Sequence, residues 1–371
     1  MIRILHLITD LEVGGAEVML TKLVNGMDQS RYANCVISLT DRGQLGDAIE
    51  SGGIPVYCLG MRRRRLNLSS FLKLVRFLKT VKPTFVQSWL YHADFVNVLA
   101  SPFSGSPPVI WNIRCSDMNM RKYAFQTQLV LRALAWLSRI PLAILVNSEA
   151  GKDVHAFLGY KARRWEVISN GFDLERYCPN LLLRQKMRSE LHLSDDLIVI
   201  GMIARVDPMK DYGTFFLAAR QILTLRSNVC FVCAGKDTVS LAALMEDSGL
   251  KGKVHLLGFE KEVEKLIPGL DIFCLSSAFG EGFPNVLGEA MSCEVPCVST
   301  DVGDARLVLG ETGLVVPPRD PGSLAKALIQ LIDLGQEGRK TLGRSAREKI
   351  RSKYALPNII EKYEQFYQSL L

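Results

Sequence analysis

The sequence lacks several features that would assign it to common classes of protein. No run of about 18 apolar residues occurs, so no membrane-spanning helix is expected. Because an apolar strand begins at Ile2, we also expect no signal peptide, and therefore a cytoplasmic protein. The five histidines have no ligand spacing, which argues against a histidine-based metal centre.

The nine cysteines do not form a disulfide framework either. They are odd in number, scattered and often inside apolar runs, which is typical of reduced thiols. Cys230 and Cys233 form a C-x-x-C sequence within a predicted strand. Residues three apart on a strand face opposite sides, so the pair is not expected to share a metal or act in redox chemistry.

The chain is mildly basic, with 45 Lys and Arg against 38 Asp and Glu, a net charge of +7. The excess is concentrated at Arg62, Arg63, Arg64 and Arg65, which precede an amphipathic basic stretch ending near residue 83. Such a segment suits an anionic membrane surface or a polyanionic acceptor, although an ordinary solvated helix has the same pattern. Nucleic acid is not expected as a partner, because no aromatic-studded basic groove accompanies the run.

Short apolar strands alternate with helical periods along the whole chain of 371 residues. The predicted strands are 3–9, 35–39, 55–59, 84–87, 108–113, 142–147, 165–168, 197–203, 229–234, 254–257, 272–275 and 296–299. The predicted helices are 16–27, 69–81, 94–101, 126–138, 212–225, 241–247, 285–293, 323–334 and 357–371. This alternation predicts α/β domains with parallel sheets covered on both faces.

The chain is long enough for two domains, and a polar connection follows the turn at Ser169 to Gly171. We expect domains at 1–170 and 171–356, with the C-terminal helix at 357–371 packing where apolar surface remains, on the first domain for example. Ligands of such sheets bind beyond the carboxyl ends of the strands. A ligand site between the two sheets is therefore predicted.

The segment EGFPNVLGE, from Glu281 to Glu289, has the pattern of an anion site. Pro284 suits the first position of a helix, whose opening N–H groups and dipole, about half a unit charge, attract an anion. Glu281 would then precede the anion and Glu289 would follow it, which suits a ligand with a central phosphate and hydroxyl groups at both ends. A capped helix with solvated glutamates is the alternative.

Two further segments complete this pattern. Gly14 and Gly15 follow the first strand and let backbone approach a ligand, without forming the G-x-G-x-x-G dinucleotide motif. Arg205 and Lys210 follow the strand at 197–203, and a guanidinium with a flexible ammonium suits a diphosphate. A plain glycine turn and surface salt bridges are the respective alternatives.

These segments together resemble glycosyltransferase family 4. The resemblance rests on GGAE, ARVDPMKDY, AGKD, HLLGF, EGFPNVLGEAMSCEVPCVSTDVGDARLVL and GLVVPPRDPGSLAKAL in that order, and it spans nearly the whole chain. It implies a GT-B fold, with two Rossmann-like doubly wound domains facing across a cleft. It also implies a retaining, nucleotide-sugar-dependent transferase that needs no metal, and the sequence indeed contains no D-x-D.

The resemblance also implies roles for individual residues. Glu281 matches the acid that contacts the donor sugar and Glu289 the acid that binds the ribose, while Arg205 and Lys210 match the pair that holds the diphosphate. The other implied donor-binding residues are Gly14, Gly15, Gly235, Phe259, Gly282, Phe283, Pro284, Asn285 and Val286.

The acceptor side departs from the family pattern. Many relatives carry a histidine where Arg114 stands here, so His92, after the strand at 84–87, is the candidate for the acceptor-side catalytic role. A structural histidine is the alternative. Asp94 and Asp117 are further acceptor-side candidates.

The leading hypothesis is transfer of a hexose or N-acetylhexosamine from a nucleoside diphosphate sugar, most simply a UDP-sugar, to a glycan or lipid-linked saccharide in polysaccharide biosynthesis. No cofactor is expected besides this co-substrate. The alternatives are a nucleotide-sugar epimerase of similar architecture and a non-catalytic nucleotide-sugar-binding partner.

Overall fold

A computed structural model of the chain describes residues 1–61, 67–114, 125–246 and 249–371. The fold divides into two compact units, the first comprising Met1–Gly171 with Pro357–Leu371 and the second Phe172–Leu356. The chain thus leaves the first unit once and returns to it for its last helix.

The first unit is built on a seven-stranded parallel sheet with the order β3-β2-β1-β4-β5-β6-β7. Its strands are β1 (Ile2–Ile8), β2 (Tyr32–Ser38), β3 (Val56–Cys58), β4 (Phe85–Trp89), β5 (Val109–Ile113), β6 (Ala143–Val146) and β7 (Trp165–Val167). The strand order reverses between β1 and β4, which is where an open α/β sheet forms a crevice at its carboxyl edge.

The helices of the first unit cover both faces of this sheet. They are α1 (Gly15–Gly26), α2 (Gly46–Ser51), α3 (Leu68–Val81), α4 (Tyr91–Ala100), α5 (Phe125–Leu137) and α6 (Glu149–Phe157). The final helix of the chain, α15 (Leu356–Gln368), buries Ile359, Tyr363 and Tyr367. Since the Tyr367 hydroxyl donates to Gln87 Oε1 on β4, at 2.5 Å, this helix packs on the first unit.

The second unit contains a six-stranded parallel sheet with the order β10-β9-β8-β11-β12-β13. Its strands are β8 (Ile198–Ile203), β9 (Val229–Ala234), β10 (Val254–Gly258), β11 (Ile272–Leu275), β12 (Cys297–Thr300) and β13 (Gly313–Val316). The order reverses between β8 and β11. Two doubly wound parallel sheets confirm the predicted fold class.

The helices of the second unit are α7 (Leu181–Glu190), α8 (Tyr212–Leu225), α9 (Ala242–Glu246), α10 (Val263–Leu266), α11 (Asn285–Ser292), α12 (Ala305–Leu309), α13 (Pro321–Asp333) and α14 (Gly335–Tyr354). A separate apolar core lies on each face of the sheet. Cys233 belongs to one core and Cys230 to the other, which confirms that they face opposite sides.

Across the described ranges, no helix has the length and apolarity that crossing a bilayer requires.

A buried histidine in the first unit should make stability depend on pH. His6 is fully buried, accepting from Trp89 Nε1 at Nδ1 and lying 3.2 Å from Asn34 Oδ1 through Nε2. Burial lowers the pKa of His6 from 6.5 to about 4. Between these values the unfolded chain binds a proton that the folded chain does not, so stability falls as pH drops from about 6.5 to 4, by up to roughly 3 kcal/mol.

Urea denaturation at pH 7 and pH 5 measures this effect. His6→Gln keeps a polar side chain at this position but removes the titration, so it should show a smaller stability loss between the two pH values than the wild type. Equal losses in both proteins would contradict the assignment to His6.

Candidate functional site

The carboxyl edge of the second unit brings together side chains that lie far apart in sequence. The loops after β8 and β11 meet at the point where the strand order reverses, and Ala278 N–H donates to Met209 O across them at 2.8 Å. Lys210 lies on the first loop and Glu281 on the second. In the structure Lys210 Nζ and Glu281 Oε1 form a direct ion pair.

The surroundings of this pair hold it in place. The Lys210 and Glu281 side chains are only 14% and 9% exposed, so water screens their charges weakly. Ser277 Oγ donates to the same Glu281 oxygen, and Ser276 Oγ donates to the Lys210 carbonyl at 2.9 Å. Sequence reasoning missed both serines, whose roles depend on a pairing between two strands.

Gly303 completes the loop that carries Glu281. Its φ is +61°, and a Cβ there would lie 2.3 Å from Glu281 O. The neighbouring Asp304 N–H donates to Gly282 O at 2.9 Å. Backbone packed this closely fixes the position of Glu281 at the sheet edge.

Helix α11 begins at Asn285, as the predicted range 285–293 has it, but Pro284 is not its first residue. Pro284 is its N-cap, with φ −77° and ψ 94°, and Asn285 is the first helical residue. The N-cap residue Pro284 makes no side-chain capping hydrogen bond. The N-terminus of α11 thus lies in the segment that follows β11, at the carboxyl edge of the sheet, where the first turn of a helix can attract an anion.

Glu289 lies in the middle of α11. Burial raises the pKa of the Tyr177 hydroxyl, and the negative charge of the Glu289 carboxylate raises it further. Sequence reasoning did not identify Tyr177, because it lies in an irregular segment with no motif of its own.

The remaining donor-side candidates differ in their exposure. The Arg205 side chain is 59% exposed, and its Nε lies 3.4 Å from Asp207 Oδ2. Phe259, just after β10, is 72% exposed.

Gly235 has φ +135°, and a Cβ there would lie 2.1 Å from Ala204 O, so only glycine fits. Phe283, in contrast, is 6% exposed and packs on Phe172, which leaves mainly its backbone for a ligand.

In the first unit, the predicted glycines begin helix α1 at the carboxyl edge. Gly14 is the N-cap and Gly15 the first helical residue. Glu17, in the first turn, is 8% exposed, and its burial raises the pKa of its carboxyl. An acidic side chain thus lies beside this helix start.

Arg114 follows β5 and is held by the surrounding structure. Its guanidinium donates to the Tyr363 hydroxyl at 3.2 Å and to Asn170 Oδ1, and it lies over the Trp89 ring at 5.4 Å. Burial lowers the pKa of Arg114, partly offset by Tyr363 and Glu17. Through these contacts Arg114 stabilises the first unit.

The other acceptor-side candidates differ in how deeply they are buried. His92 lies half-buried in the first turn of α4. Asp94 is completely buried, accepts from Ser88 Oγ at 2.6 Å, and has its pKa raised well above the usual range by burial. The structure therefore does not support an acceptor contact for Asp94. Asp117 lies outside the described residues, as does the run Arg62 to Arg65.

Within the described ranges, no cluster of three or more His, Cys, Asp or Glu side chains could hold a metal ion.

The two doubly wound parallel sheets define the GT-B class of fold. The chain adopts the same fold as Alr3699/HepE of Anabaena, solved in complex with UDP, with a TM-score of 0.85 and 23% identity over 99% of this chain and 100% of that one. A glycosyltransferase from Rickettsia africae has a TM-score of 0.83 and 15% identity over 100% and 98% of the two chains.

Two family models match within this fold. Residues 13–176 match the model described as Glycosyltransferase Family 4, and residues 197–334 match Glycosyl transferases group 1. The chain is thus a homologue of glycosyltransferases in both units.

Curated relatives agree with these matches. The UDP-Gal:alpha-D-GlcNAc-diphosphoundecaprenol alpha-1,3-galactosyltransferase of Escherichia coli is 24% identical over 89% of this chain and 86% of its own length. The capsular polysaccharide biosynthesis glycosyltransferase CapM of Staphylococcus aureus is 24% identical over 82% of each chain.

Proposed function

We propose that the protein is a retaining, metal-independent glycosyltransferase that moves a hexose or N-acetylhexosamine from a UDP-sugar to a glycan or lipid-linked saccharide. The observation that carries this proposal is the largely buried Lys210–Glu281 pair in the loops that precede the N-terminus of α11. A cation, a carboxylate and backbone N–H groups at one sheet edge suit a sugar bound to a diphosphate.

The proposed chemistry follows from charge. Breaking the bond between the anomeric carbon and phosphate builds negative charge on the diphosphate and positive charge on the sugar ring. Lys210, Arg205 and the α11 N-terminus stabilise the diphosphate, so a metal is not required for that task. The leaving phosphate oxygen then takes the proton of the acceptor hydroxyl, which attacks from the same face and retains the anomeric configuration.

The two acids have separate roles in this proposal. Glu281 accepts from donor sugar hydroxyls close to the reacting carbon, while Glu289 accepts from the ribose hydroxyls. Gly235 and Phe259 lie beside the base, and Gly15 is a further backbone contact of the phosphates. His92 and Arg114 handle the acceptor.

A hydrolysis screen of nucleotide sugars without acceptor tests the proposal. We expect slow release of UDP and free sugar from one donor, undiminished by a metal chelator. Release of an epimerised nucleotide sugar would instead support the epimerase, and tight binding without hydrolysis or transfer would support a non-catalytic partner. With an acceptor in hand, the anomeric configuration of the product tests retention.

We also propose that the protein acts in the cytoplasm, peripherally on the inner face of the membrane. The names of the E. coli and S. aureus relatives refer to a lipid-linked saccharide and to capsular polysaccharide, and the Arg62 to Arg65 run suits an anionic surface. A lipid-linked acceptor would be reached most directly from that position.

Replacing Arg62 to Arg65 by glutamine should weaken binding to vesicles that contain phosphatidylglycerol. A basic side chain near an anionic surface contributes roughly 1 kcal/mol, so the partition coefficient should fall at least tenfold at low salt, and less at high salt. Co-sedimentation measures it. The matched control neutralises four exposed cations of the second unit, Arg220, Lys326, Arg344 and Lys353. Equal binding by both variants would indicate that the run is an ordinary solvated segment.

A further inference from the structure

Helix α5 of the first unit has apolar side chains on its outer side as well as on the side that faces the core. On its inner side, Leu131 and Leu134 are 3% and 0% exposed. On its outer side and in the turn that follows, Leu129, Trp136 and Ile140 are 54%, 82% and 47% exposed. A surface helix normally has a polar outer side, so large exposed side chains at this spacing indicate a surface that binds a partner.

Two arginines lie among these exposed apolar side chains. Arg132 and Arg139 are both exposed, and they lie three residues after Leu129 and three residues after Trp136. Side chains three and four residues apart share one side of a helix, so the cations and the apolar groups form a single surface. We call Leu129, Arg132, Trp136, Arg139 and Ile140 the α5 stripe.

The segment that follows helix α6 extends this surface. Lys161 N–H donates to Ser138 Oγ and Arg163 Nε donates to Arg139 O, both at 2.7 Å. Phe157, at the end of α6 and four residues before Lys161, is 90% exposed. An exposed aromatic ring and two further exposed cations therefore lie at the same end of α5 as Arg139.

The surrounding chain is strongly basic. Residues 51–148 contain 13 Lys and Arg but only two acids, Asp94 and Asp117, whereas the rest of the chain contains 32 Lys and Arg and 36 Asp and Glu. Asp94 is completely buried, so it does not offset the positive charge at the surface. Two copies of such a surface would repel each other, whereas an anionic bilayer attracts it.

We propose that the α5 stripe and Phe157 dock the first unit on an anionic lipid bilayer. This inference rests on the proposed peripheral position at the membrane and names a surface that inserts there, separate in sequence from the run Arg62 to Arg65. Trp136 and Phe157 enter the interfacial region, where amphipathic aromatic rings are favoured. Arg132 and Arg139 lay their aliphatic stems along the apolar surface and contact the anionic headgroups.

Tryptophan fluorescence tests the insertion directly. Trp89 and Trp111 are 0% exposed and Trp165 is half-buried, so Trp136 is the tryptophan whose surroundings change most on docking. Vesicles that contain phosphatidylglycerol should shift the emission to shorter wavelength, and brominated lipids in those vesicles should quench it. Vesicles of phosphatidylcholine alone should do so much less, and Trp136→Phe should abolish both signals.

Co-sedimentation with the same vesicles measures the contribution of each side chain. Trp136→Ala should lower the partition coefficient about tenfold, because it removes a large apolar contact with the bilayer. Arg132→Gln combined with Arg139→Gln should lower it about 25-fold at low salt and less at high salt, since each cation near an anionic surface contributes roughly fivefold.

Leu181→Ala is the matched control for Trp136→Ala. Leu181 is 77% exposed but lies in the second unit, so its removal should leave vesicle binding unchanged. Because Trp136 lies on the surface, Trp136→Ala should keep the thermal midpoint of the wild type and its rate of donor hydrolysis in solution. Equal loss of vesicle binding in both variants would overturn the inference.

The same measurements separate this inference from the proposals on which it rests. If the wild type binds the anionic vesicles but the emission of Trp136 does not change, the α5 stripe is not the docking surface, and the peripheral position stands without it. If the wild type does not bind these vesicles, both are wrong, while the hydrolysis screen still tests the transferase. A dimer seen by sedimentation and lost in Trp136→Ala, without insertion into vesicles, would show that the stripe binds a second copy of the chain and would overturn the inference.

Discussion

Lys210→Ala should lower kcat by about 10²- to 10³-fold, the usual effect of removing a preorganised group that stabilises developing charge. Lys210 is a cation with only 14% of its side chain exposed, and in the proposed mechanism its charge is needed most when the diphosphate leaves. The substitution also frees the Glu281 carboxylate of its ion-pair partner, which leaves negative charge where the diphosphate should bind. UDP binding should therefore weaken as well. Steady-state kinetics with the donor found in the hydrolysis screen, and calorimetry with UDP, measure the two effects.

Lys265→Ala is a suitable control for this experiment. It removes a lysine from a pair with Glu262, but both side chains there are more than half exposed, at 51% and 56%. An exposed pair contributes little, so activity and stability should stay close to those of the wild type. Lys210→Arg keeps the charge but changes its geometry and should recover part of the activity. Unchanged turnover in Lys210→Ala would remove Lys210 from the phosphate site.

Hydrophobic periodicity predicted most of the fold. Every predicted strand exists, with bounds within a few residues of the structure, because strands buried on both faces are continuous apolar runs bounded by polar turns. The strand β13 was missed, since its sequence GLVV is short and lies between two turn-forming segments. Helix α14 was missed because its buried stripe, Arg339, Gly343, Ala346 and Ile350, contains a single large apolar residue.

The site was predictable only as far as strand ends are predictable. Position after a strand placed Lys210 and Glu281 at a carboxyl edge, but their direct contact depends on β8 lying next to β11, which local sequence does not specify. Position after a strand also says little about where a side chain points. Asp94 therefore proved to be buried at the sheet instead of exposed at its edge. Phe283 is likewise a core residue within the motif.

Gly288→Ala should destabilise the second unit by about 3 kcal/mol, at the upper end of typical overpacking costs. A Cβ at Gly288 would lie 2.0 to 2.6 Å from three carbons of the Phe172 ring. That ring is 2% exposed and stacks on Phe283 with centroids 6.0 Å apart, so it has little room to retreat. Either α11 or the segment that carries Phe172 must move. UDP binding should then weaken, because in the proposed function α11 supplies both Glu289 and the N–H groups that bind phosphate.

Gly213→Ala in α8 separates this clash from the general effect of changing a helical glycine. The nearest atom to a Cβ there is Asp211 Oδ1 at 3.5 Å, an ordinary contact, so the change should stabilise the protein by up to about 1 kcal/mol. Phe172→Leu combined with Gly288→Ala should recover part of the stability, since the smaller side chain makes room for the added methyl group. Urea denaturation of the four proteins distinguishes these outcomes. A Gly288→Ala midpoint equal to that of the wild type would show that α11 is not tightly packed against Phe172. Gly288→Ala should instead lose both stability and UDP affinity, and the double variant should recover both. That result would show that the contact between Phe172 and Gly288 positions α11.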